Sequence, residues 1–221
     1  MTEARAQLLG SLREKGIGGA TLAAFERVPR HAFLPSDQRD RSYQDRPLAI
    51  GFGQTCSQPW IVAVVLQAID LRPGSAVLEV GLGSGYLAAL LRAAGATRVI
   101  GIELIPALAA QARRNLNRAD VSGVVVLVGD GRRGTPEGEA FDAVVISAAT
   151  EGVPPALLSQ VVDGGKLVAP LVGPGDERLW CLTRQGSAWS RQDLGECRFV
   201  PLLGDQREAA TRDGPSGLSR S

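Results

Sequence analysis

The residues most able to do chemistry in this chain lie around residues 76–86, read A-V-L-E-V-G-L-G-S-G-Y. An apolar run of strand type ends in an acid, Glu79, and passes through a turn holding Gly81, Gly83 and Gly85. Such a turn lets a backbone approach a ligand closely, because no Cβ intrudes. Further acids follow at intervals, Glu103 and Asp130, with a hydroxyl at Ser147. Upstream stands a polar island, Gln54-Thr55-Cys56-Ser57-Gln58-Pro59. Taken alone, the glycine turn reads either as a cofactor loop or as a plain strand-to-helix turn, and Ser57 reads first as a helix N-cap.

The glycine spacing, G-x-G-x-G, is one residue short of the dinucleotide fingerprint G-x-G-x-x-G. Glu79 would repel a pyrophosphate and suits a cation. S-adenosyl-L-methionine carries no phosphate, one sulfonium and one ammonium. It matches that charge pattern better than a dinucleotide does.

These residues need elements to position them. Periodicity and turn residues predict helices over residues 3–15 and 21–27, then an ordered loop region over 30–53, then a helix over 61–69 with Pro59 in its first turn. Strands are predicted at 76–80, 98–103, 124–128, 143–147 and 166–172. Helices are predicted at 86–94, 106–118 and 154–162, the last ended by Gly164-Gly165. Strands at 179–184 and 190–203, split around Gly195, read as antiparallel. Repeated β-α-β units imply an α/β fold with a doubly wound, mostly parallel sheet and an N-terminal helical extension. The expected organisation is a single domain over 1–204, with 1–72 holding the helices and the polar island and 73–204 the sheet. A flexible tail is expected over 205–221. In such a sheet ligands bind beyond the carboxyl ends of the strands. There Glu103 could take ribose hydroxyls and Asp130 an adenine amino group.

Composition excludes several classes. The 221 residues are 44% hydrophobic and 21% charged, with a formal net charge of +1. That balance gives no electrostatic case for nucleic acid or an acidic membrane. No apolar run reaches the ~20 residues of a membrane helix. Three widely spaced cysteines, Cys56, Cys181 and Cys197, form no C-x-x-C pair and imply neither disulfides nor a metal. A cytoplasmic location and a monomer are expected. His31, the only histidine, reads as structural, Cys56 as a packing residue, and Arg132 and Arg133 as solvent-facing.

The segment 47–59, P-L-A-I-G-F-G-Q-T-C-S-Q-P, resembles the G-Q-T-I-S-Q-P segment of protein-L-isoaspartate O-methyltransferases. The likeness continues in register through V-L-E-V-G-L-G-S-G-Y, G-D-G at 129–131, F-D-A-V-V-I-S-A-A from Phe141, the 153–170 stretch and R-F-V-P-L-L at 198–203. It spans roughly residues 1–204. The resemblance implies transfer of a methyl group from S-adenosyl-L-methionine to the α-carboxylate of L-isoaspartyl residues in damaged proteins. S-adenosyl-L-homocysteine would be the product, and the ester would close to a succinimide that leads to repair. It also implies a catalytic role for Ser57, and cofactor contacts at Thr55, Cys56, Glu79, Gly81, Gly83, Gly85, Glu103, Leu104, Asp130 and Gly131. Substrate contacts are implied at Gln54, Thr55 and Ser57, with no metal. The chain departs from the family pattern at Cys56, Leu82, Thr135 and Ala140. A cysteine at position 56 could alter substrate fit.

A carboxylate nucleophile, with a pKa of about 3.5 to 4, is already ionised at neutral pH and needs no general base. A serine hydroxyl could hold one oxygen and aim the other, with no covalent intermediate. Three other readings stay open on the sequence: a carboxyl methyltransferase for a dedicated peptide or small molecule, a cofactor-binding interaction protein whose catalysis has decayed, and a dinucleotide oxidoreductase. Label transferred from the sulfonium donor to an isoaspartyl peptide, and not to its aspartyl twin, separates them.

Overall fold

In a computed structural model, residues 2–136 and 139–204 are described; the expected tail over 205–221 lies outside them. Two helices, α1 (Thr2–Glu14) and α2 (Gly19–Arg27), lead into two short 3-10 turns, Arg30–Phe33 and Ser36–Arg41. A small antiparallel hairpin follows, β1 (Leu48–Gly51) and β2 (Gln54–Cys56), and then α3 (Pro59–Ile69). The region expected to be loop thus contains strand β1. Gly51, Phe52 and Gly53 all have positive φ at the hairpin tip, a turn that alternation of apolar residues does not reveal.

The remaining elements alternate: β3 (Ala76–Val80), α4 (Tyr86–Ala93), β4 (Arg98–Glu103), α5 (Pro106–Arg118), β5 (Val124–Val128), β6 (Phe141–Ile146) and α6 (Pro155–Ser159). Strands β7 (Val161–Val172), β8 (Glu177–Gln185) and β9 (Ala188–Glu196) complete the sheet. Several boundaries differ from expectation, most of all those of α6, β7 and β9. Helix α6 is only five residues long, and β7 begins at Val161. Gly164-Gly165 therefore lie inside a strand, where the pairing of β6 with β7 shifts register, and do not stop a helix. The segment 197–203 is not a strand. It forms one isolated β-bridge, Ala149 to Pro201, and is tied to Glu177 through the N–H groups of Cys197 and Phe199.

The seven strands lie in the order β5-β4-β3-β6-β7-β8-β9, the first five parallel and the last two antiparallel. The chain builds outward from β3 to β5 and then returns to place β6 on the other side of β3. The β3/β6 boundary is the topological switch point, where a crevice opens beyond the carboxyl ends.

Alternation sorts the side chains to two faces. Val77, Val99, Val145 and Val168 pack under the helices α1 to α5. Leu78, Val80, Ile100, Ile102, Val144 and Ile146 face the other way, against Leu157 of α6. Glu79, next to Val77 by two residues, shares the helix-covered face and is 1% exposed. That is an expensive place for a carboxylate.

Candidate active site

The switch point brings two strand ends side by side. Ser147 N–H donates to the Val80 carbonyl at 2.8 Å, so Ser147 stands beside Gly81. Past the strand, Glu103 fixes the glycine turn. Its two oxygens accept from Gly83 N–H at 2.8 Å and Ile105 N–H at 3.0 Å. A carboxylate that accepts from backbone amides in this way holds a loop in one shape while keeping lone pairs for a ligand.

The polar island arrives from the other side. Arg30 has no exposed surface, and its guanidinium donates to five carbonyls: Ser42 at 2.9 Å, Gln44 at 3.1 Å, Arg46 at 3.0 Å, Cys56 at 3.3 Å and Ser57 at 2.9 Å. No carboxylate pairs with it among the described residues. This buried cation ties the loop over 42–46 to the backbone at Ser57. Ser57 is not the cap of α3. The N-cap position is Gln58, and the N–H of Trp60 is taken by the carboxylate of Asp45 at 2.8 Å. Asp45 in turn pairs with Lys15 at 3.1 Å. The Ser57 hydroxyl, relieved of capping, takes no hydrogen-bond partner among the described residues.

Three recesses meet here. The largest, about 430 Å³, runs past Pro47, Ser57, Gln58 and Ile61 to Asp176, Glu177 and the segment Cys197–Val200. A narrow one, about 40 Å³, is lined by Cys56, Ser57, Glu79, Gly81, Gly83 and Tyr86. A third, about 50 Å³, is lined by Gln54, Gly83, Glu103, Leu104, Ile105, Gly131 and the stretch Val200–Leu203. Thr55 and Ser147 line all three, and Ser57 lines the first two.

Most residues singled out in the sequence therefore gather at this junction, but two do not. Gly85 lines none of the three. Its φ is +82°, and a Cβ there would press on Leu116 and Ala112, so it serves the packing of α4 on α5. Asp130 also lines none of them. Its carboxylate accepts from Arg132 N–H at 3.0 Å and pairs with the Arg132 guanidinium at 2.5 Å, so Arg132 is not simply solvent-facing. Gly131 does line the third recess, and a Cβ there would overlap Val80.

The sequence missed Arg30 and passed over Ser147 as a site residue. Phe199 and Val200, part of the R-F-V-P-L-L likeness but not named as site residues, line two recesses each. The strap that carries them is laid down by Ala149 N–H on Val200 carbonyl at 2.8 Å, Leu202 N–H on Ala149 carbonyl at 2.7 Å, and Phe199 N–H on Glu177 Oε1 at 2.7 Å. The only signal for Ser147 was its position at a strand end.

The ionisable groups are poor candidates for nucleophile or base. His31 lines none of the recesses. Its Nδ1 shares a hydrogen bond with the Tyr43 hydroxyl at 2.9 Å, and burial, then Arg5 and Arg39, lower its pKa. Cys197, on the wall of the large recess, is pushed up to about 12 by burial and then by Glu177, so it stays a thiol. Glu79 is different in kind. One of its oxygens, Oε2, is buried with no hydrogen-bond partner among the described residues. Burial and then the charge of Glu103 push its carboxyl well above the usual range, against the favourable Ser147 hydroxyl and Ala88 N–H.

The model of the protein-L-isoaspartate(D-aspartate) O-methyltransferase family matches residues 3–207. The chain belongs to that family. A protein-L-isoaspartate O-methyltransferase of Methylorubrum populi is 47% identical over 207 residues, covering 92% of this chain and 97% of its own. A solved protein-L-isoaspartate O-methyltransferase structure superposes with a TM-score of 0.84 at 26% identity, over 94% of this chain and 69% of its own. A Plasmodium falciparum protein crystallised with S-adenosyl-L-homocysteine has the same fold, with a TM-score of 0.77 at 22% identity over 90% and 98% of the two chains. As in those methyltransferases, the sheet is mostly parallel with flanking helices. No helix among the described residues is long and apolar enough to cross a membrane.

Proposed function

We propose that this member of the family transfers the methyl group of S-adenosyl-L-methionine to the α-carboxylate of L-isoaspartyl residues in damaged proteins. The observation that carries this reading is the meeting of three recesses at Thr55 and Ser147, with Ser57 on two of them. One recess, of about 430 Å³, is roomy, and the other two are narrow and acid-lined.

The residues present fit the cofactor. An unpaired, buried carboxylate oxygen on Glu79 suits a cation, and Glu103 beside Leu104 and Gly131 suits hydroxyls and a base. When bound, the cofactor supplies a methyl group already activated on a sulfonium. Glu79, Gly81 and Gly83 would hold its charged end, and Glu103, Leu104 and Gly131 its adenosine. Gly85 and Asp130 would act through helix packing and through the turn at residues 131–133, respectively.

The chain's own part is positioning. Ser57 donates its hydroxyl to one oxygen of the substrate carboxylate and leaves the other free to attack. Thr55 and Gln54 border the same junction. Arg30 holds the Ser57 backbone, and the apolar Ile61 and Phe199 keep water from the charges that must meet. No proton is moved, because the nucleophile is ionised beforehand. The substrate leaves as its methyl ester, and the neighbouring amide nitrogen then attacks the ester carbonyl, loses its proton and expels methanol to close the succinimide without the enzyme.

The test is labelled S-adenosyl-L-methionine with paired peptides that differ only in aspartyl or isoaspartyl linkage. Label on the isoaspartyl peptide alone is expected. Equal label on both, or none on either with the cofactor bound, rejects the substrate assignment.

A further inference from the structure

Glu79 is the one carboxylate lining the narrow recess, and no lysine or arginine shares that lining. The residues that line the recess with it, or act on its charge, can be named element by element. From α4 come Tyr86 and Ala88, from α3 Val62 and Val65, from β2 Cys56, from the end of β6 Ser147, and from the end of β4 Glu103. Tyr86 is neutral, since burial raises its hydroxyl far above the physiological range. Among the described residues Glu103 is the only other carboxylate acting on Glu79, and it brings more negative charge. Glu79 is 1% exposed, and its Oε2 accepts a hydrogen bond from none of the described residues. A charged carboxylate so placed has the Ser147 hydroxyl and the Ala88 N–H in its favour but an unpartnered Oε2 and no cation in the recess, whereas a protonated one needs no cation.

We propose that Glu79 selects for a positively charged cofactor: it holds a proton in the free protein and releases it to solvent as the cationic end of S-adenosyl-L-methionine enters the recess. The inference rests on the methyl-donor reading above. The balance is simple. A carboxylic acid and a cation become a carboxylate paired with that cation, and one proton passes to bulk water. A neutral ligand in the same recess gains nothing from this exchange.

Titration calorimetry at neutral pH, repeated in buffers of different ionisation enthalpy, counts the proton. About one proton should leave per S-adenosyl-L-methionine bound, and affinity should rise about tenfold per pH unit wherever the free protein is protonated. 5′-Methylthioadenosine keeps the adenosine and the thioether but carries no positive charge, and it should release none. Glu79→Gln should abolish the release and weaken S-adenosyl-L-methionine at least about tenfold, with 5′-methylthioadenosine unaffected. The comparison of the two ligands on the unaltered protein stands even if the variant fails to fold. Tight binding and methyl transfer with no proton released and a flat pH profile would overturn this inference and leave the methyl-donor reading intact. Absence of S-adenosyl-L-methionine binding would overturn both.

Discussion

The guanidinium of Arg30 donates to the carbonyl of Ser57 at 2.9 Å, across 27 residues of chain. Four further carbonyls converge on the same group. The backbone that presents the candidate catalytic hydroxyl is therefore fixed by a cation with no exposed surface. Its planar fork is what allows one side chain to serve five acceptors.

Arg30→Lys should keep the charge and lose the fork. Several buried carbonyls would be left short of a donor, at about 1 to 3 kcal/mol each before relaxation. We expect a clear fall in the denaturant midpoint, and a loss of turnover larger than any loss of cofactor affinity. A variant with wild-type stability and turnover would show that the Ser57 backbone is held by something else.

Ser57→Ala should lower kcat about ten- to a hundredfold, the worth of one hydrogen bond to a charged oxygen. Cofactor affinity measured by calorimetry should barely move. Stability should also hold, because the hydroxyl neither caps α3 nor pairs with a described residue. Collapse of cofactor binding with a normal rate per bound complex would assign Ser57 to the cofactor.

Glu103→Ala removes the acceptor for both Gly83 N–H and Ile105 N–H. Cofactor affinity should fall by about 1.5 to 3 kcal/mol for each charge-assisted bond lost. Part of that fall comes from the loosened glycine turn, so exchange of the Gly83 amide should quicken in the ligand-free protein. Unchanged affinity and unchanged exchange together would contradict the role.

The pH dependence of stability has a defined sign at Glu79. Its folded pKa is raised above the ordinary value of 4.5. The stabilisation is fully present below that value and is lost as pH rises through the raised one. Ligand-free wild type should thus fall behind Glu79→Gln on going from acid toward neutral pH, by at most about 1.4 kcal/mol per pH unit. Melting curves of both proteins over that span check it. Parallel curves would mean that Glu79 titrates alike in the folded and unfolded chains.

The central sheet was legible because β3, β4 and β5 are apolar runs closed by acids or glycines, and their bounds stand where the pattern put them. Elements set by long-range pairing were not. The four residues of β1 become a strand only against β2, after a turn of three positive-φ residues. Gly164 and Gly165 read as a helix stop but sit in the register shift of β7. The site divides the same way. Glu79 and Glu103 could be placed by counting along strands. Arg30 could not, since nothing local to an arginine tells how many distant carbonyls will surround it. Ser147 needed the parallel pairing of β3 with β6 before its closeness to Gly81 could be known.

Thr55 and Ser147 border all three recesses, so two guests in neighbouring recesses would come within one side chain of each other there. A single synthetic compound that tethers an adenosyl group to an acidic peptide by a short spacer would occupy both compartments at once. Its second half would dock at the effective concentration set by the spacer, far above what two separate fragments could reach. The design variable for such a bisubstrate inhibitor is the length of that spacer where it passes Ser147.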